Sequence, residues 1–501
     1  MIHFLAKATH HSDVVGCRRE FRRPLRHRIA TLAVTACALL FVQTLDTQSV
    51  KAESSDRPNV VLIMADDLGY GDLGCYGQSK IQTPRIDEMA RQGMRFTDHY
   101  SGSNVCAPTR CSLVTGLHTG HCTIRGNRQA ADAEGQWPLP ADATTIGGQL
   151  QAAGYVTGMF GKWGLGNPGT SGDPLRQGWD TYYGYTDQIR AHNYFPDFLL
   201  RDGAREPLDN EVVYLSEKLW HKGIGSYATE QNEYSHDLIM DAALQFIRRN
   251  QGVPFFAYLP VALPHGNGEA RGSQMEVPDF GPYADRSDWS VDAKGYASMV
   301  SRLDTSVGEV IDLLKQLELD ENTLVLFTSD NGPVRTITPF FDSNGPFQGI
   351  KRDVYEGGIR APLVAWWPGT ITGGSETDHV SAHWDYLPTF LELAGRSAPA
   401  NTDGISLLPT LLDQPADQRP HDFLYWEDGA DGSVGIRVGK WKGILPPESA
   451  DDLTTWRVFN LEKDPGETNN LAGSHPDLVT KFAEMFRRAH SASKLFPHPA
   501  D

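Results

Sequence analysis

The chain has 501 residues, of which 40% are hydrophobic and 22% charged, and a formal net charge of -18. This is length and apolar content enough for one large domain with a smaller one attached. The acidic balance excludes nucleic acid as the partner, and any anionic ligand must be drawn by a local basic pocket rather than by the surface as a whole.

The first segment reads as an export signal. Arg22, Arg23, Arg26 and Arg28 precede an apolar run from Ile29 to Val42, and Val50 and Ala52 are small residues placed for a cut before Glu53. The run is shorter than the ~20 residues of a membrane span. The expectation is an exported protein, periplasmic or secreted, with no stable membrane insertion once residues 1–52 are removed. The cysteines beyond that cut are Cys75, Cys106, Cys111 and Cys122. They do not imply a disulfide scaffold, and sequence alone leaves open whether Cys111 and Cys122 pair.

From there, short apolar runs alternate with helical patterns, which predicts an α/β fold with a largely buried sheet. Val60 to Met64 is a run of strand length that ends in Asp66-Asp67. In Cys106-Ala107-Pro108-Thr109-Arg110, Pro108 suits the first position of a helix and Gly116 its end. Cys106 then lies just before a helix N-terminus, where free N–H groups and the dipole favour an anion. Arg110, one turn on, faces back to the same point. Tyr155 to Phe160 leads to Gly161-Lys162-Trp163, and Phe255 to Leu259 leads to Pro264-His265.

The clearest helix runs from about Ala293 to Leu317, with Met299, Val300, Leu303, Val307, Val310, Ile311 and Leu314 on its apolar stripe. Asp304 on this helix reads as a surface or capping charge. Leu324 to Phe327 then leads to Asp330-Asn331-Gly332. After about Gly395 the texture changes to proline-punctuated short segments. Phe423–Trp426, Gly435–Val438 and Arg457–Asn460 read as strands, and Asp477 to about His490 as a closing helix. The expected division is a signal peptide at 1–52, a catalytic domain at 53–415 and an α+β subdomain at 416–501.

Each strand hands a polar residue to the loop after it, and open α/β sheets build their sites at the carboxyl ends of strands. Asp66, Asp67, Asp330 and Asn331 offer oxygen ligands only, which suits a hard divalent cation, calcium above magnesium. Each pair alone is equally a cap or an Asx turn; both together, with Cys106 between them in sequence, favour a metal. Lys162, Lys351 and His265 are residue types that can neutralise an anion and supply a proton to a departing oxygen, but each alone is equally a solvated surface lysine or a packed loop histidine, and their roles rest on the family context.

Six stretches in order resemble the type I, formylglycine-dependent sulfatases, an arylsulfatase-like family of the alkaline phosphatase superfamily. They are Asn59 to Gly69, Cys106 to Gly116, Gly154 to Trp163, Leu326 to Gly332, Lys351 to Pro362 and Phe459 to Pro465. The resemblance implies an alkaline-phosphatase-like large mixed sheet sandwiched by helices, with a smaller C-terminal antiparallel sheet and helix. It implies hydrolysis of sulfate esters, with sulfated carbohydrate as the expected substrate. A maturation enzyme would oxidise Cys106 to formylglycine (3-oxoalanine), whose hydrated aldehyde supplies the nucleophilic oxygen. Asp66, Asp67, Asp330, Asn331 and the modified Cys106 would hold one calcium ion. Arg110 would steady the formylglycine, Lys162 and Lys351 would bind sulfate, and His265 would face the leaving oxygen.

One position departs from that pattern. Many members of the family read Gly-Lys-Trp-His where this chain has Gly164, and that histidine helps the sulfated hemiacetal collapse. His192 is the candidate replacement, with substrate binding or no role as its alternatives. Two other functions stand beside the sulfatase reading: a phosphate or phosphonate ester hydrolase of the same superfamily, and a non-catalytic sulfoglycan-binding protein.

Overall fold

The computed structural model describes residues 57–127, 135–215 and 225–501; the export segment, with Arg22, Arg23, Arg26, Arg28 and the Ile29 to Val42 run, lies outside them. A ten-stranded mixed sheet carries the architecture. Its strands in chain order are β1 (Asn59–Ala65), β2 (Met94–Phe96), β3 (Val156–Lys162), β4 (Thr181–Tyr185), β5 (Phe198–Arg201), β6 (Ala204–Pro207), β7 (Phe255–Pro260), β8 (Thr323–Ser329), β9 (Leu363–Trp366) and β10 (Ser375–Thr377). In space they run β10-β2-β9-β8-β1-β7-β3-β4-β5-β6. The centre, β8-β1-β7-β3-β4, is parallel, and antiparallel strands flank it on both sides.

The helices of eight residues or more among the described residues are, in chain order, α1 (Pro84–Gln92), α2 (Cys106–Thr115), α3 (Ser235–Arg249), α4 (Val291–Gln316), α5 (Tyr386–Leu393) and α6 (Pro476–Ala489). Alternation along β1 feeds two cores. Val61 and Ile63 pack with α3 and α4 on one face, while Val60, Leu62 and Met64 pack with α2 and α5 on the other. Helices on both faces are why the central strands read as continuous apolar runs rather than as alternating ones.

The α4 stripe from Met299 to Leu314 is buried as its periodicity predicts. Asp304 is not a surface charge: it is 2% exposed and accepts from Arg85 N at 3.0 Å and Ile86 N at 2.7 Å. It caps α1, a helix far away in sequence. Burial pushes its carboxyl up to about 6 in spite of these bonds, so the charged cap is held at some cost. Asp304→Ala is therefore expected to lower stability by only about 1 kcal/mol, the usual loss for a cap. Urea unfolding checks this, with turnover unchanged in the same variant.

Near the C-terminus, β11 (Leu424–Glu427), β12 (Val434–Val438), β13 (Trp441–Leu445) and β14 (Arg457–Asn460) form an antiparallel sheet of four strands. Phe482, Met485 and Phe486 of α6 cover one face with Val434, Ile436 and Val458. Leu424, Trp426, Ile444 and Phe459 turn the other way, onto Tyr100, Ile359 and Trp384. Sequence reading found three of these strands and missed β13, whose pattern is interrupted by Lys442 and Gly443. Lys442 is fully buried because its Nζ bonds Glu356 at 2.9 Å and Glu467 at 3.4 Å. That contact braces the segment that follows Lys351.

Candidate active site

Three strand ends meet at one point. Beyond β1, Asp66 N donates to Leu263 O at 2.9 Å, and beyond β8, Asp330 N donates to Ala65 O at 3.0 Å. The parallel ladder is thereby prolonged past the strands and fixes Asp66, Asp67 and Asp330 beside one another. Asp67 has φ 65°, in the left-handed region that costs most residues energy. Its N–H donates to Asp330 Oδ1 at 3.1 Å and its carboxylate accepts from Asn331 Nδ2 at 2.8 Å, which holds that conformation.

Cys106 is the first residue of α2 rather than the residue before it, and Pro108 is the third rather than the first. Proline is tolerated there because the first four N–H groups of a helix have no intrahelical acceptor. Gly116 closes the helix with φ 67° and a bond from its N–H to Ser112 O at 2.9 Å. Lys162 is the last residue of β3, buried to 1% exposure, and not a loop lysine. Cys111 and Cys122 are both free thiols.

Around Cys106 the charges interlock. Arg110 donates to Asp66 Oδ2 at 3.2 Å, to Asp330 Oδ2 at 3.0 Å and to the Lys162 carbonyl. Lys162 Nζ lies 2.6 Å from Asp66 Oδ2, and Lys351 Nζ lies 2.6 Å from Asp67 Oδ1 and 3.5 Å from Cys106 Sγ. Cys106 Sγ is 3.4 Å from Asp66 Oδ1. His265 Nδ1 donates to Gly266 O at 2.8 Å, which leaves Nε2 facing Asp67 Oδ2 at 3.4 Å. His192 stacks on His265 with ring centroids 4.4 Å apart, and its Nδ1 lies 3.2 Å from Glu269 Oε2.

Burial alone raises the Asp66 carboxyl, but Lys162, then His265, Arg110 and Lys351, outweigh it and hold the group well below the usual range. Asp330 is pushed up to about 7 by burial and by the charge of Asp66. Burial and Asp66 also raise the Cys106 thiol, and a thiol held protonated is a poor nucleophile. His265 is held well below its ordinary value by burial, then by Lys351 and His192. Every residue singled out from sequence for this site is brought to it.

A cavity of about 450 Å³ opens onto the cluster, lined by Asp67, Cys106, Lys162, His192, His265 and Lys351. Gln136, Gln188, Arg335 and Arg352 are among the other residues of its wall, and the sequence reading missed them. Gln188 follows β4 just as Lys162 ends β3. The signal was hidden because Tyr182-Tyr183-Gly184-Tyr185 lacks the aliphatic run that marked the other strands.

Residues 58–396 match the sulfatase family. The chain belongs to it. Residues 346–490 also match the family described as the C-terminal part of N-sulphoglucosamine sulphohydrolase. Human arylsulfatase A is 33% identical over 464 residues, covering 85% of this chain and 87% of that protein. N-acetylgalactosamine-6-sulfatase of Canis lupus familiaris is 31% identical, covering 83% of this chain and 82% of that protein. Among solved structures, Ps i-CgsB in complex with k-i-k-neocarrahexaose is similar with a TM-score of 0.70 and 26% identity, covering 89% of this chain and 94% of that one.

This sulfatase hydrolyses sulfate esters through a formylglycine made from Cys106 and a calcium ion. The residues fit the ion. The cluster offers Asp66, Asp67, Asp330 and Asn331, all oxygen donors, and Asn331 Oδ1 is buried with no hydrogen-bond partner among the described residues. When both are in place, the formylglycine hydrate supplies the nucleophilic oxygen and the cation neutralises charge on the sulfate oxygens.

Proposed function

We propose that this sulfatase is an exported enzyme that removes sulfate from carbohydrate, matured on Cys106 by a formylglycine-generating enzyme. The observation that carries the reading is the convergence of Lys351 and Cys106 on an open cavity, with Asp66 against the Cys106 sulfur beneath it. The carbohydrate class is supported by the names of relatives, N-acetylgalactosamine-6-sulfatase and the structure solved with a neocarrahexaose. Export rests on residues 1–52; among the described residues no helix is long and apolar enough to cross a membrane. Residues 53–415 carry the chemistry in this reading, and 416–501 brace it.

The positions support the following roles. Asp66, Asp67, Asp330, Asn331 and the modified Cys106 hold calcium. Arg110, anchored on two carboxylates and the Lys162 carbonyl, steadies residue 106. Lys162 and Lys351 release their carboxylate partners in part to bind the sulfate oxygens. His265 faces the leaving oxygen. His192, tethered by Glu269 and stacked on His265, exchanges a proton within the cavity. His192→Ala is expected to lower kcat about 100-fold, the low end of general acid–base contributions. Formylglycine content, read by peptide mass spectrometry, stays normal; unchanged kinetics remove the role.

A panel of sulfated sugars and matched phosphate monoesters tests the function. Sulfate esters should be preferred in kcat/KM by about 100-fold or more, equivalent to ~2.7 kcal/mol in transition-state binding. A phosphate preference transfers the chain to the phosphoesterases of the superfamily. Inertness towards all of them, with formylglycine present, points to a sulfoglycan-binding protein or to a substrate narrower than the panel.

A further inference from the structure

The position where many sulfatases carry a histidine after Gly-Lys-Trp is Gly164 here, and the space beside it is filled from another strand. Gly164 has φ 75°, and a Cβ built on it would lie 1.9 Å from Gln188 Nε2. No side chain fits at 164 while Gln188 keeps its place. That place is set by backbone contacts. The β3–β4 ladder continues past both strands, with Trp163 N donating to Tyr185 O at 2.8 Å and Gly164 N to Thr186 O at 3.1 Å. The Asp187 carboxylate accepts from Ile189 N and Arg190 N, each at 2.8 Å, and closes the turn around residue 188. Gln188 N itself donates to Gln136 Oε1 at 2.9 Å.

The side chain held this way is 4% exposed, and neither its Nε2 nor its Oε1 has a hydrogen-bond partner among the described residues. Leaving a buried carboxamide unpaired is costly, and one with both atoms unpaired calls for a partner. Gln188 lines the same cavity as Cys106, Lys162 and Lys351.

We propose that the Gln188 carboxamide is a substrate-contacting group of this sulfatase, which hydrogen-bonds the sulfate ester from the space a side chain at residue 164 would otherwise take. The inference rests on the sulfatase reading above and adds a residue to it. A primary amide presents two N–H donors to sulfate oxygens and does not titrate. Its contribution is therefore to binding and orientation and leaves the pH profile alone, unlike a histidine at 164.

The test uses the matured full-length enzyme, with 4-nitrophenyl sulfate as substrate and inorganic sulfate as competitive inhibitor. Gln188→Ala should raise both KM and the sulfate inhibition constant by about tenfold, the size expected for one hydrogen bond to a charged group. The pH profile and formylglycine content should match wild type. Gln188→Glu keeps the shape and sets a carboxylate against the anion, so sulfate should bind more weakly than in Gln188→Ala. If both variants keep the wild-type inhibition constant, the proposal is overturned, whatever happens to their stability. A second measurement checks the seating. Gly164→Ala should destabilise the wild type more than it destabilises Gln188→Ala, since backbone strain is common to both but the clash is not; equal losses overturn the placement. A wild-type enzyme that neither cleaves the ester nor binds sulfate defeats the sulfatase reading itself, a different outcome from wild-type activity with an indifferent Gln188.

Discussion

Cys106→Ala should abolish turnover, by at least about 10³-fold, while leaving the fold intact. Nucleophile removal in enzymes that act through a covalent intermediate costs on this order or more. The variant should remain folded because the sulfur anchors none of the buried charges by itself. Its contacts are long, 3.4 Å to Asp66 Oδ1 and 3.5 Å to Lys351 Nζ. Asp66 keeps Lys162 and Arg110, and Lys351 keeps Asp67. Cys111 is the control. It lies on the same helix and is equally buried, but it packs among the apolar residues of one core layer, so Cys111→Ala should cost some stability and little activity. Peptide mass spectrometry of the segment, alongside single-turnover kinetics on a sulfated sugar, measures the result. Activity retained in Cys106→Ala, beyond trace level, would place the nucleophile elsewhere and sink the formylglycine assignment.

The parts of this molecule that were legible in sequence share a physical cause. Central parallel strands are buried on both faces, so Val60 to Met64, Phe255 to Leu259 and Leu324 to Phe327 read as apolar runs, and each run stops where its chain reaches the site. Asp66, Asp67, Lys162, His265, Asp330 and Asn331 were found by that stop. What stayed hidden depends on partners remote in sequence. Lys442 sits in a strand because Glu356 and Glu467 neutralise it. Asp304 is buried because α1 brings it two N–H donors. Lys162 looked like a loop lysine until Asp66 and the end of β3 enclosed it. Gln188 had no sequence signal of its own. Its meaning comes from the glycine at 164, the position where the chain departs from the pattern it otherwise resembles.

Removing calcium should lower kcat/KM by about 100-fold or more, since losing the charge stabilisation of one transition-state contact costs on this order. The argument is electrostatic. Asp66, Asp67 and Asp330 stand among Arg110, Lys162 and Lys351, so the protein's own charges balance formally at three against three. A neutral cluster has little attraction for sulfate, and both lysines are engaged by carboxylates. A calcium ion held by the Asp and Asn oxygens would add two positive charges, and Lys162 and Lys351, now shared with it for the carboxylates, would be available to the anion. Calcium and sulfate should therefore strengthen each other's binding, and by linkage the factor is the same in both directions. Removing calcium is expected to weaken inhibition by inorganic sulfate by the same factor by which withdrawing sulfate weakens calcium binding. The fold should survive with a modest drop in melting temperature, because the lysine–aspartate pairs close over the site. Magnesium should restore activity poorly, since it demands a near-ideal octahedron and keeps its waters. The measurement is an EGTA titration with metal content followed in parallel, reading sulfate inhibition and turnover at each point. Full turnover in demonstrably metal-free protein would show that the three cations alone suffice, and the ion would lose its place in the chemistry.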